Sequence, residues 1–102
     1  MEAALPISIP VDRIAELCRT NGIRRLSLFG SVLRGDFTPE SDVDVLVEFE
    51  SGRVPGLIGL QRIESELSAM LGRRVDLNTP GFLSGSFREQ VMAEARPILV
   101  AA

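Results

Sequence analysis

The stretch Ser41-Asp42-Val43-Asp44-Val45-Leu46-Val47-Glu48-Phe49 decides the fold. Val43 to Phe49 reads as a strand: Val43, Val45, Val47 and Phe49 alternate with Asp42, Asp44, Leu46 and Glu48, the period of two that marks one apolar face. Aspartate is disfavoured within a strand, so a merely solvated face accounts poorly for Asp44. It accounts well for Asp42, which also suits a cap or turn. The two carboxylates share a face, with Cα atoms about 6.5 Å apart from the strand rise. At that separation they repel unless a cation sits between them, and a pair of magnesium ions is one natural occupant.

Upstream, Ile23 to Phe29 reads as another strand, with Leu26 and Leu28 alternating with Arg25 and Ser27. Gly30-Ser31 breaks it, and a short helical turn from Ser31 to Arg34 runs up to Gly35. Glycine permits close approach of the backbone to a ligand, and free N–H groups at a helix start favour a phosphate. On its own the dipeptide more often marks a simple turn. Before this strand, Ile14, Leu17 and Cys18 recur at helical spacing from Pro10 until the stop signal Asn21-Gly22. Residues 1–9 read as a loose lead-in, where Ile7 and Ile9 suit brief pairing with a sheet edge.

Downstream, Leu57, Leu60, Ile63, Leu67 and Met70 or Leu71 predict an amphipathic helix stopped by Gly72. Arg74 to Asn78 predicts a third strand, with Val75 and Leu77 toward the core and Asp76 on the other face. Beside the Asp42/Asp44 strand it would supply a third carboxylate; alone, Asp76 reads as an exposed edge residue. Ser86-Phe87-Arg88-Glu89 has the form of a capping box, with Ser86 as N-cap. Phe87, Val91 and Ala95 would then line one helix face, Pro97 would end the helix, and Ile98-Leu99-Val100 would dock as an apolar tail. Phe82 and Leu83 either complete the core or face a partner. The predicted order is α, β, short α, β, α, β, α: an α/β (α+β) fold with a small mixed sheet and helices packed against it. With 102 residues the chain reads as one domain, 1–102.

The formal charge of −3 argues against direct binding along a nucleic acid backbone. All eleven basic residues are arginine, and most must be solvated surface charges. The absence of histidine removes Ser-His-Asp and Cys-His catalysis and imidazole zinc sites. Cys18 is the only cysteine, so no internal disulfide forms, and its helical neighbours make it a buried structural thiol. The N-terminal residues do not read as a signal peptide, and no apolar run reaches the ~20 residues of a membrane span. The expectation is a cytoplasmic protein with no membrane partner.

The run Leu28-Phe29-Gly30-Ser31-Val32-Leu33-Arg34-Gly35, followed by Ser41-Asp42-Val43-Asp44-Val45-Leu46-Val47, resembles the signature of the minimal nucleotidyltransferase family. That family lies within the DNA polymerase beta-like nucleotidyltransferase superfamily. Its pattern is Gly-Ser, Arg-Gly a few residues on, Ser-Asp-x-Asp on a strand, then a lone aspartate on a later strand. Asp76 in Arg73-Arg74-Val75-Asp76-Leu77 matches that last element. The resemblance runs from about Ile23 to the C-terminus, with no departure at the metal-ligand positions. It implies a polymerase beta-like fold in which Asp42 and Asp44 hold the metals that bind a triphosphate. Asp76 would help the metal that activates the attacking hydroxyl. Gly30 and Ser31 would cradle the β- and γ-phosphates. Arg34 would touch phosphate or brace the loop; a surface ion pair with Asp36 or Glu40 is the equal alternative. The implied cofactor is Mg2+ (two ions), with ATP as substrate. Members of the family are often antitoxins of HEPN-domain toxins and resemble enzymes that place AMP on a toxin tyrosine. The implied partner is therefore a HEPN toxin encoded nearby, with homo- or hetero-oligomers open.

The rival from a different class is a binding module that neutralises its partner by contact, with the site idle. A sugar transferase built on Asp-x-Asp needs a longer chain, and a carboxylate nuclease fits poorly with the acidic, histidine-free composition.

Overall fold

The architecture comes from a computed structural model that describes residues 5–100, the side chain of Phe82 excepted. In chain order the elements are helix α1 (Val11–Asn21), strand β1 (Ile23–Phe29), a 3-10 turn (Gly30–Leu33), strand β2 (Val43–Phe49) and helix α2 (Leu57–Leu71). Strand β3 (Val75–Asn78), a second 3-10 turn (Pro80–Phe82), helix α3 (Gly85–Glu94) and strand β4 (Arg96–Val100) follow. The four strands form one mixed sheet in the order β3-β2-β1-β4. β1 is antiparallel to both β2 and β4, whereas β2 and β3 are parallel. A parallel pair needs a crossover, and α2 supplies it.

The period-two pattern of β2 becomes a two-sided core. On one face Leu26, Leu28, Val43, Val45, Val47 and Val75 pack with Ile14, Leu17 and Cys18 of α1 and Ile63 and Leu67 of α2. On the other, Phe29 and Leu46 pack with Leu83 and with Val91 of α3. Gly22 and Gly72 cap α1 and α2 in the left-handed conformation, where glycine carries no Cβ penalty. Cys18 is buried, and burial pushes its thiol up to about 11.

Five expectations are corrected. Arg96–Val100 is not a docked tail but an edge strand, with Arg25, Leu26, Ser27 and Leu28 opposite Val100, Leu99, Pro97 and Arg96. Pro97 is tolerated because an edge strand has a side that needs no ladder donor. α3 begins after Ser84, not Ser86, and no side-chain cap bond forms; Arg88 instead donates to the carbonyls of Pro80 and Leu83 (2.7 and 2.9 Å). Of the predicted α3 face, Val91 is buried and Ala95 partly so, but Phe87, in the first turn of the helix, is 47% exposed. Leu57 likewise opens α2 in solvent. Residues 7–9 form no strand; Ile7 and Ile9 pack partly buried on the larger core. Leu83 completes the smaller core, and the expectation for the Phe82 side chain lies outside the described residues.

Candidate active site

Strand pairing brings together residues that lie far apart in sequence. β1 ends with Phe29 opposite Asp44, and the parallel register of β2 with β3 sets Asp44 beside Asp76. Val43 N–H donates to the Arg74 carbonyl (2.8 Å), the first ladder bond where both strands begin. Because side chains alternate, Asp44 and Asp76 share the face opposite Val43, Val45 and Val75.

Gly30 follows directly with φ +77°. A Cβ there would collide with Asp44 Oδ2 and lie 3.1 Å from Asp44 Cγ. The residue is therefore glycine for two reasons, a left-handed backbone and a carboxylate pressed against it. Ser31, half-buried, sits within the 3-10 turn, and its carbonyl accepts from Arg34 N–H (3.0 Å).

Electrostatics mark Asp44 as the centre of the group. Burial, then the charges of Asp76 and Asp42, push its carboxyl up to about 6, against the opposing pull of Arg34. The Asp76 side chain beside it adds a last, smaller push in the same direction. Asp42 stands one residue before β2, with Oδ1 3.8 Å from Arg74 Nε. Arg34 Nε lies 3.7 Å from Asp36 Oδ1, so the surface ion pair forms while the guanidinium also acts on Asp44. Among the described residues no three carboxylates or thiols close into a ready metal cage. Gly30, Asp44 and Asp76 form the tight group, and Asp42 and Arg34 flank it.

Two polar residues of α2 escaped the sequence reading. Glu64 Oε2 accepts from Leu77 N–H (2.8 Å), and Ser68 Oγ accepts from Val75 N–H (3.1 Å). In sequence they look like ordinary polar positions of an amphipathic helix; only their four-residue spacing hints at a shared target.

The model of the nucleotidyltransferase domain family matches residues 11–98. The chain belongs to that family. As a nucleotidyltransferase it is 39% identical over 79 residues to protein adenylyltransferase MntA of Thermococcus cleftensis, covering 78% of each chain. It is 40% identical to a candidate minimal nucleotidyltransferase of solved structure, with TM-score 0.72, covering 85% of this chain and 87% of that one. Two complexes share the fold at lower identity. One is a toxin–antitoxin with AMP-PNP (23% identity, TM-score 0.73, 91% and 75% coverage). The other is a tri-AMPylated Shewanella oneidensis HEPN toxin with its MNT antitoxin (22%, 0.64, 89% and 70%). The expected fold and the expected enzyme class are thus both borne out. Among the described residues no helix is long and apolar enough to cross a membrane.

Proposed function

We propose that this nucleotidyltransferase transfers AMP from Mg2+-bound ATP to a hydroxyl of a protein partner, as the antitoxin of a HEPN toxin. The observation that carries the proposal is the convergence of Gly30 on Asp44 with Asp76 in register beside it. Relatives named for protein adenylyl transfer, and a fold shared with toxin–antitoxin complexes, support the acceptor and the partner.

The residues present fit magnesium. The donors are hard carboxylate oxygens with no histidine in the chain, a set that suits Mg2+ and not a soft metal. Burial and the neighbouring charges of Asp76 and Asp42 push the Asp44 carboxyl up to about 6, a repulsion that a bound cation would relieve. An incomplete protein cage suits Mg2+, which keeps waters and takes phosphate oxygens as ligands. Asp42 and Asp44 would hold the metals on the triphosphate, and Asp76 the one beside the acceptor hydroxyl. When bound, the two ions stabilise the attacking and leaving oxygens of an in-line displacement at the α-phosphate.

The chain's own part is orientation. Asp44 must release its proton for the site to load, and Arg34 favours its charged form. Gly30 lets the turn backbone lie against Asp44, so the β- and γ-phosphates can rest on Gly30 and Ser31 beside the carboxylates. The acceptor hydroxyl gives its proton to water, its oxygen attacks the α-phosphorus, the bond from that phosphorus to the α,β-bridging oxygen breaks, and pyrophosphate leaves. Asp76 stands on the exposed edge strand, where a large acceptor can reach it.

The test mixes the protein, magnesium, each α-labelled triphosphate and the protein encoded by the adjacent gene. Label from ATP should appear on the partner, and Asp42→Asn or Asp44→Asn should abolish it while partner binding persists. Failure to label with any triphosphate, with protection from the toxin intact, would leave only the binding-module reading.

A further inference from the structure

β3 is an edge strand, and an edge strand presents backbone N–H groups with no ladder partner. Those of Val75 and Leu77 do not go to β2; they go to Ser68 Oγ and Glu64 Oε2 of α2, at 3.1 and 2.8 Å. The match is geometric. Glu64 and Ser68 stand four residues apart on one helix face, about 6 Å along the axis. Val75 and Leu77 stand two residues apart in the strand, about 6.6 Å. The pairs run in opposite senses, Glu64 to Leu77 and Ser68 to Val75, as they must when the helix returns the chain between parallel strands. Between the two clamped residues lies Asp76, on the opposite face from Val75 and Leu77.

We infer that Glu64 and Ser68 are positioning residues: a two-point clamp that fixes the register of β3 and so holds the Asp76 carboxylate beside Asp44. β3 spans only Val75–Asn78, so few ladder bonds hold it, and a slip of one residue would turn Asp76 into the core. The clamp also closes the donors nearest Asp76, so an approaching partner meets the carboxylate and not an open strand edge. The catalytic consequence rests on the assignment of Asp76 to the metal site made above.

The experiment compares Glu64→Ala, Glu64→Gln and Ser68→Ala with the unaltered protein in three readouts. Hydrogen exchange reads the clamp itself. The Leu77 amide should exchange about tenfold faster in Glu64→Ala, the loss of one hydrogen bond, with the amides of β1 unchanged. Glu64→Gln keeps a carbonyl acceptor and should restore most of the protection, and Ser68→Ala should expose Val75. Direct Mn2+ titration in the presence of a non-hydrolysable ATP analogue reads the carboxylate. Its apparent dissociation constant should rise about three- to tenfold in Glu64→Ala and recover in Glu64→Gln. AMP transfer should show a raised half-saturating Mg2+ with the maximal rate recovered at high Mg2+, a pattern that simple loss of folded protein does not give. Unchanged Leu77 exchange in Glu64→Ala would overturn the clamp, and faster exchange with unaltered Mn2+ affinity would overturn its role in positioning Asp76. Absence of transfer by the unaltered protein would count against the proposed reaction alone, since exchange and Mn2+ binding still decide the clamp.

Discussion

Replacing Gly30 by alanine separates the two demands that the structure places on that residue. Its φ of +77° lies in the left-handed region, where an L-residue costs about 1–2 kcal/mol. Gly52 has nearly the same φ, +79°, and a Cβ there meets nothing within 4 Å. Gly52→Ala therefore measures the backbone term alone, a fall in melting temperature of about 4–16 °C for a domain of this size. At Gly30 the added carbon runs into Asp44 Oδ2. That oxygen is the far end of a side chain and can swing aside, so Gly30→Ala should lose little more stability than Gly52→Ala. The carboxylate, however, must move by roughly an ångström, a misplacement that can cost about a hundredfold in rate. The assay is AMP transfer at saturating Mg2+ and ATP alongside thermal melting. Equal melting losses with activity down about a hundredfold only in Gly30→Ala is the expected pattern. Activity within threefold of the unaltered protein in Gly30→Ala would refute the close approach of the turn to Asp44 as a functional feature.

Three further outcomes follow from the same geometry. Asp44 titrates at about 6 in the fold against an ordinary 3.8, so the folded state keeps the proton longer than the unfolded chain. The metal-free protein should thus lose stability as pH rises from about 4 to about 6, by about 1–2 kcal/mol after allowance for solvent screening. Chemical denaturation across that window should show the slope, and Asp44→Asn should flatten it. Below about pH 6 the same proton competes with the metal, so Mn2+ affinity should fall up to tenfold per pH unit in direct titrations. Leu67, fully buried between α2 and the sheet, should cost about 2–5 kcal/mol as Leu67→Ala in urea melts. Cys18, buried with its thiol pushed up to about 11, should resist a disulfide reagent at pH 8 until the protein is unfolded.

What could be read from the sequence was what local pattern controls. β1 and β2 were legible to the residue because alternation and flanking Gly, Asn and Asp signals agree, and α2 because its apolar spacing ends on Gly72. β4 was not, since Pro97 argues against a central strand and only the neighbouring β1 shows that the strand lies at an edge. The start of α3 was misplaced because Ser84 and Ser86 offer competing caps, and the contacts of Arg88 with Pro80 and Leu83 favour the earlier one. At the site, Asp44 and Asp76 were legible as strand aspartates and Asp42 as the carboxylate just ahead of β2. Their grouping depended on the β2–β3 register, which no local signal sets. The collision awaiting any side chain at Gly30, and the bonds from Glu64 and Ser68 to the β3 edge, are long-range facts. They appear only once α2 has folded back over the sheet.

The most direct test is to grow crystals with Mn2+ and a non-hydrolysable ATP analogue and map the anomalous signal of the metal. Manganese should be bound by carboxylate oxygens of Asp42, Asp44 and Asp76, with the β- and γ-phosphates against Gly30 and Ser31. Manganese and nucleotide settling elsewhere on the chain, or a metal at Asp44 with Asp76 turned away from it, would contradict this arrangement.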